Sequence, residues 1–412
     1  MNRKILLALT PFIALACFSL FFQAYSSDEY AYLTTGKAFA ENTLQGYTDL
    51  GRFPLYSFTL SILFRIFGYG ELIARLFSIA LGIFGIILTF KLAKELFNEE
   101  KAFFAALIVS TNPLYTYLTT RMLSEALFLV LFMGSLIVLL KAKNYLHYAF
   151  FGVLAGLTFL TRYFGGYLLF VALLYAYFTK KLNWKNYLLI IIGFIIALSP
   201  WMAWSASETG SAFGFGLSFL TNQLSLNENA FSLPDKIPLY ALGLLGILCA
   251  SSILLVKNNW KKTNPLLLAS IIGVWISMEA YGFLGNPPLI RYLLPVIPVL
   301  AVLVSSIEFK GSWKKILIAT LVLNLIAGVF VINYFGNNAK YVGYREAGLF
   351  AAENCDSIDS NIQRIIEHYS GKRNTLNGEC IVSSDYDGKL EIPSNYLLVF
   401  EKNGVNVYQN SG

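Results

Sequence analysis

The chain alternates long apolar runs with short polar connections, and the runs are too long for ordinary strands. About twenty apolar residues are what a helix needs to cross a bilayer. Runs of this kind occupy 5–23, 72–94, 102–119, 123–140, 145–160, 163–178, 187–204, 238–256, 265–284, 289–307 and 316–335, and the two flanking Arg162 are short. The stretch 54–67 differs. Ser57, Ser61 and Arg65 recur there every fourth residue and put a polar stripe on one helical face. Such a helix lies in the membrane interface and does not cross it. From Gly336 the pattern turns polar. Residues 344–357 read as a helix, and 396–401 and 405–409 flank Lys402-Asn403-Gly404, a hairpin signal. The predicted fold is an α-helical polytopic membrane protein. It has about eleven transmembrane helices and an interfacial helical first outer loop in residues 1–335, then a small mixed α/β extramembrane domain in residues 336–412.

Composition agrees with many spans and with no large soluble core. Hydrophobic residues make up 56% of the 412 and charged residues 13%, with a mean hydropathy of +0.59; soluble domains carry about 25% charged residues. The net charge of +7 sets orientation in such a protein and implies no nucleic-acid partner. With the N-terminus in the cytoplasm, and 5–23 kept as a span and not cleaved as a signal peptide, the inner connections hold sixteen Lys and Arg, against eight in the outer ones without the C-terminal domain. By the positive-inside rule the first loop and the C-terminal domain are then on the outer face of a multi-pass cell-membrane protein. The kind of base differs too. Arg3 is the one arginine inside, whereas six of the eight outer bases are arginines. Arginine's planar fork suits bidentate binding of carboxylate or phosphate, so the outer face is expected to bind an anion.

The first polar stretch after the first span is Ser26-Ser27-Asp28-Glu29-Tyr30. Ser26 and Glu29 have capping-box spacing, and Asp28 would suit the same helix N-terminus. The competing reading makes Asp28 a catalytic base. Further outer groups follow. Arg52 precedes Pro54, which suits the first turn of the interfacial helix. Glu71 and Arg75 are spaced as a helix-surface ion pair. Glu125, about one turn inside the membrane, is costly there unless paired or facing a wet cavity, and Arg121 at i−4 could neutralise it. Arg162, Glu279, a long loop at 205–237, and Arg291 and Tyr292 behind Pro287-Pro288 complete the outer set.

Cys17 and Cys249 lie in apolar runs, whereas Cys355 and Cys380 lie in the polar tail and could pair in an oxidising space. There are two histidines and no zinc-ligand spacing. No metal or other cofactor is expected, although the outer carboxylates leave a divalent ion open.

The order of these motifs resembles the polyprenyl-phosphate-dependent glycosyltransferases of the glycosyltransferase C fold. The branch it resembles holds the protein O-mannosyltransferases and the lipid A aminoarabinose transferase. The resemblance is carried by Asp28-Glu29 after the first span, the basic-x-Pro-Leu-Tyr stretch from Arg52, Arg75, Arg121 with Ser124-Glu125, Thr161-Arg162-Tyr163, and Arg291-Tyr292-Leu293-Leu294-Pro295. One departure is Phe53, where many members have a first proline. The resemblance implies a membrane glycosyltransferase. It would move a hexose or pentose, as from dolichyl phosphate mannose, from a polyprenyl (dolichyl) monophosphate to a protein, lipid or glycan acceptor. It also implies Asp28 as base and Arg52 on the donor phosphate. Arg162, Arg291 and Tyr292 are expected to join Arg52 there, with Glu29, Arg121 and Glu125 in support. Two rivals stand beside this reading. A transporter or flippase would place polar groups at the midplane, often within an internal repeat, and here the ionisable residues gather at helix ends. The other is a non-catalytic subunit of a glycan assembly complex.

Overall fold

The computed structural model describes residues 3–22, 25–43, 52–180, 183–214, 249–257, 263–283, 291, 294–372, 374–376, 378–387, 390 and 392–411. Helices dominate. In chain order they are α1 (Arg3–Ser19), α2 (Ser27–Glu41), α3 (Leu55–Phe67), α4 (Glu71–Leu96), α5 (Glu99–Ser110), α6 (Pro113–Thr119), α7 (Glu125–Leu140), α8 (Tyr145–Thr161), α9 (Tyr167–Thr179), α10 (Trp184–Thr209), α11 (Pro265–Phe283), α12 (Val296–Ser305), α13 (Ser312–Gly336), α14 (Ala339–Asn354) and α15 (Gln363–Ser370). By length and composition α4, α10 and α13 can each cross a bilayer, and several shorter helices are apolar too.

Among the described residues the eleven apolar runs do not become eleven unbroken spans. The run 102–119 breaks at Asn112, whose side chain caps the backbone N–H of Tyr115 at 2.8 Å while Pro113 opens α6. Proline suits a first helical position because its missing N–H has no partner to lose there. The run 163–178 opens with a 3-10 turn, Tyr163–Gly166. The run 238–256 is described from Cys249, as another 3-10 turn, and helix α12 occupies the second half of 289–307.

Helix α3 keeps its predicted length but turns its polar stripe inward. Ser57 and Ser61 are buried, Ser57 donates to the carbonyl of Tyr32, and Arg65 donates to the carbonyls of Phe39 and Ala40. The stripe therefore satisfies α2, while Phe58, Ile62 and Ile66 face outward.

The bundle has two chemically different ends. Lys4 and Lys94 meet Glu99, Lys141 meets Glu95, and Lys101 donates to the carbonyls of Ser306 and Ile307. The opposite end holds the N-terminus of α4, the corner between α6 and α7, the end of α8, and all of α2. There Arg75 is buried and donates to the carbonyls of Ser19, Phe22 and Thr120 and to the hydroxyl of Tyr25. The expected pairing of Glu71 with Arg75 does not form. Arg75 instead donates to carbonyls at and just after the end of α1, which can each take a second donor, and Glu71 turns to the tail.

The tail is a four-stranded sheet with α14 and α15. The strands are β1 (Ile358–Ser360), β2 (Cys380–Ser384), β3 (Tyr396–Lys402) and β4 (Val405–Asn410), in spatial order β1-β2-β4-β3, with β1 and β2 parallel and the other neighbours antiparallel. The predicted hairpin forms, with Asn403 (φ 54°) and Gly404 (φ 72°) in the turn. Two consecutive left-handed residues match the twist of the flanking strands, and Asn-Gly tolerates them. The predicted tail helix starts earlier than 344, because Asn338 caps it. Cys355 and Cys380 are joined in a disulfide that ties the end of α14 to β2. Helix α15 docks on α2: Tyr30 and Tyr369 share a hydroxyl hydrogen bond, and His368 Nε2 lies 3.0 Å from Glu71. Tyr69 lies 2.5 Å from the other ring nitrogen of His368.

Candidate active site

Asp28 and Glu29 sit side by side in the first turn of α2, and the helix sends them in different directions. Glu29 is fully buried. Its carboxylate accepts from the backbone N–H of Ser26 at 2.8 Å and of Met122 at 3.2 Å, and from the guanidinium of Arg121. Arg121 lies over the rings of Tyr25 and Tyr117. The capping role thus falls to Glu29, which also anchors the corner between α6 and α7. Asp28 keeps its place in the first turn, where a negative charge suits the helix N-terminus, but its carboxylate takes no part in the cap.

Asp28 points into a partly open space. Arg52 Nη2 donates to one carboxylate oxygen at 2.6 Å, and Arg291 Nη1 donates to the other at 2.7 Å. All three side chains are 29% exposed, so the ions meet where a ligand can reach them. Burial would raise the pKa of Asp28, but Arg52 and then Arg291 outweigh it and hold the carboxyl at about 2, against an ordinary 3.8. Behind this trio lies a second ion pair, of Glu125 with Arg162 at 2.6 Å, and Arg291 Nε is 3.9 Å from the same Glu125 carboxylate. Arg291 therefore stands between the two acids.

The site is more specific than the local spacing of its residues. Glu125 does not pair with Arg121 at i−4, because Arg121 is committed to Glu29 and Arg162 comes from the end of α8. The loop that carries Arg52 rests on aromatic rings. Phe53 packs 4.9 Å from Phe159, between ring centroids, and the Arg52 guanidinium lies over Tyr32. Tyr32 is one turn after Asp28 on the same face of α2, and its hydroxyl meets Ser124, which also accepts from Arg162. The sequence pattern does not single out Tyr32, although its i+4 spacing from Asp28 is the signal that could have. Among the described residues no group of three or more His, Cys, Asp or Glu is placed to hold a metal ion. Tyr292, the loop stretch 215–237 and Pro287-Pro288 lie outside the described residues, as does the Glu279 side chain.

Residues 52–204 match the model of the dolichyl-phosphate-mannose-protein mannosyltransferase family. ArnT from Cupriavidus metallidurans, solved bound to undecaprenyl phosphate, superimposes with a TM-score of 0.71 at 14% identity, over 98% of this chain and 97% of that one. Its apo state gives 0.72 at 13% identity, over the same shares. The chain has the glycosyltransferase C fold. The archaeal oligosaccharyltransferase AglB from Archaeoglobus fulgidus, solved with an inhibitory peptide and a dolichol-phosphate, shares that fold at a TM-score of 0.52 and 12% identity, over 92% of this chain and 69% of that one. No curated protein sequence matches the chain. Within the glycosyltransferase C fold, the family match starts at Arg52 and takes in Arg121, Glu125 and Arg162, so Asp28 and Arg291 stand on the geometry of this chain alone.

Proposed function

We propose that the protein is a membrane glycosyltransferase that moves a sugar from a polyprenyl (or dolichyl) monophosphate sugar to an acceptor hydroxyl or amine on the outer face of the membrane. One observation carries this reading. Two arginines from distant parts of the chain, Arg52 and Arg291, converge on the two oxygens of one partly exposed carboxylate, Asp28. Two guanidinium groups that converge on a pair of carboxylate oxygens can equally take a pair of phosphate oxygens. The structural relatives solved with polyprenyl or dolichol phosphate support a donor of that chemistry.

The reaction follows from these positions. The donor phosphate takes the guanidinium groups of Arg52 and Arg291, with Arg162 behind them. Asp28, relieved of both cations, becomes a stronger base than its present pKa allows. The acceptor hydroxyl attacks C1 of the sugar from the face opposite the phosphate, and its proton passes to Asp28. The bond between C1 and the phosphate oxygen breaks with inversion, and the polyprenyl phosphate leaves with the electron pair, its growing charge offset by the arginines. Glu125 and Glu29 keep Arg162 and Arg121 in place. The guanidinium groups supply positive charge where it grows on the leaving phosphate.

The sequence 1–335 acts as the catalytic unit in this reading, and 336–412 as a separate outer domain. The test is a transfer assay in membranes with labelled polyprenyl-monophosphate sugars, read by mass spectrometry of the products. Transfer from at least one donor is expected. No product from any monophosphate donor, alongside transfer from a diphosphate-linked glycan, would replace the reading with a polymerase or ligase.

A further inference from the structure

A cavity of about 330 Å³ opens between the tail and the start of α2, apart from the arginines that hold Asp28. Ser27, the neighbour of Asp28, forms part of its wall. The other walls come from the tail: Lys340 and Tyr344 on α14, Asn361 after β1, Ile365 on α15, and Asp387 after β2. Ligand cavities commonly measure about 300–1,000 Å³. Asn361 and Asp387 follow the carboxyl ends of the two strands that run parallel in this sheet, β1 and β2. That is the place where α/β sheets take ligands, since the loops leaving parallel strands converge there.

The lining has a definite chemistry. Lys340 donates to one oxygen of Asp387 at 2.9 Å, and Tyr344 donates to the other. Ser384 donates to Asp387 at 3.1 Å, and the Lys340 ammonium lies 5.5 Å from the ring centres of both Tyr344 and Tyr386. One acid and one base cancel, so the cavity has no strong preference for a charged occupant. A carboxylate and a side-chain amide held by separate loops can grip neighbouring hydroxyls, and the half-buried ring of Tyr341, which also lines the cavity, gives the apolar C–H face of a sugar something to lie against. A peptide acceptor would more naturally lie along an exposed strand edge, where the backbone supplies its hydrogen bonds.

We propose that this cavity, between Ser27 on α2 and the loops after β1 and β2, is the acceptor site and takes a neutral, hydroxyl-rich carbohydrate. The inference rests on the glycosyltransferase reading above. In it the tail holds the acceptor against Ser27, which precedes Asp28 in the first turn of α2.

Saturation-transfer NMR on the full chain in detergent tests it, with a panel of neutral methyl hexopyranosides and methyl pentopyranosides as probes and a blocked Ser-Thr dipeptide alongside. At least one glycoside should receive saturation. Asp387→Asn should weaken that signal about tenfold, the worth of one lost hydrogen bond to a charged group, and Asn361→Leu about three- to tenfold, the worth of a neutral one. The melting temperature of each variant reports whether it is folded, and Asn361→Leu decides if Asp387→Asn is not. Arg52→Ala should leave glycoside binding intact while abolishing polyprenyl-phosphate binding, which separates the two sites. If the donor reading fails, glycoside binding still stands; if only this proposal fails, donor binding still stands. No saturation of any glycoside, glycoside binding unchanged in a folded Asn361→Leu protein, or saturation of the dipeptide alone would overturn it.

Discussion

Asp28 can be separated from its neighbour by substitution, because Glu29 carries the capping hydrogen bond. Asn cannot accept a proton near neutral pH, yet it matches the shape of Asp. Asp28→Asn should therefore insert and reach the parent fold, melting lower at neutral pH because both ion pairs are gone, while transfer falls by about 10²–10⁴, the usual worth of general acid–base catalysis. Near-normal turnover in folded protein would remove Asp28 from the chemistry. Arg52→Lys keeps the charge and loses the fork, so donor use should weaken by about 1.5–3 kcal/mol, read as kcat/KM with the donor varied. A pH effect follows from the same trio. The folded pKa of Asp28 lies near 2 and its ordinary value at 3.8. The ion pairs thus contribute stability that is complete above about pH 4 and is lost as pH falls through about 2. Melting temperatures of parent and Asp28→Asn should converge across that window, and a gap that persists at its acid end would assign the stabilisation to another group.

At the scale of elements, α8 and α10 pack closely along their length. A Cβ added at Gly193 would strike the carbonyl of Ala149, and one at Gly152 would strike the carbonyl of Ile190. Helices in a membrane gain little from apolar burial between them, so they hold together through backbone approaches of this kind. Gly193→Val should force the pair apart and cost at least about 1–3 kcal/mol, seen as a lower melting temperature in detergent. Gly134 has nothing near its missing Cβ, so Gly134→Ala should be neutral or stabilising, and an equal loss in both variants would refute the packing argument. In the tail, the disulfide closes a loop with a sequence separation of 25. Loop entropy of that size is worth about 3–4 kcal/mol, so reduction should loosen the sheet before it affects the helical part. Hydrogen exchange in β1 and β2, with and without reductant, measures this.

The whole molecule places its lysine-rich connections at one end and its arginine site and tail at the other. The positive-inside rule then predicts a cytoplasmic lysine end. In a chain with Cys17 and Cys249 replaced by Ser, a cysteine at Asn183 or Asn258 should be shielded from an impermeant thiol reagent in intact cells. One at Asn227 should react. Labelling of Asn183→Cys from outside would invert the topology and, with it, the face on which transfer is proposed to occur.

What the sequence determined by itself was local. Apolar run length marks helices, because every backbone polar group in a bilayer must be satisfied within its own segment. Asn-Gly between two strand patterns marks the hairpin, because both residues accept a left-handed backbone. That these arginines and acids gather at helix ends was legible too, since charges cluster there when the interior is lipid. Their pairing was not. Spacing at i and i+4 favoured Arg121 with Glu125 and Arg75 with Glu71, but tertiary structure joined Arg121 to Glu29, Arg162 to Glu125, and Glu71 to His368. Asp28 found Arg291 across 263 positions of sequence. A helical turn brings two charges within reach, but which pair forms depends on which groups burial leaves without another partner. Only the packed chain decides that.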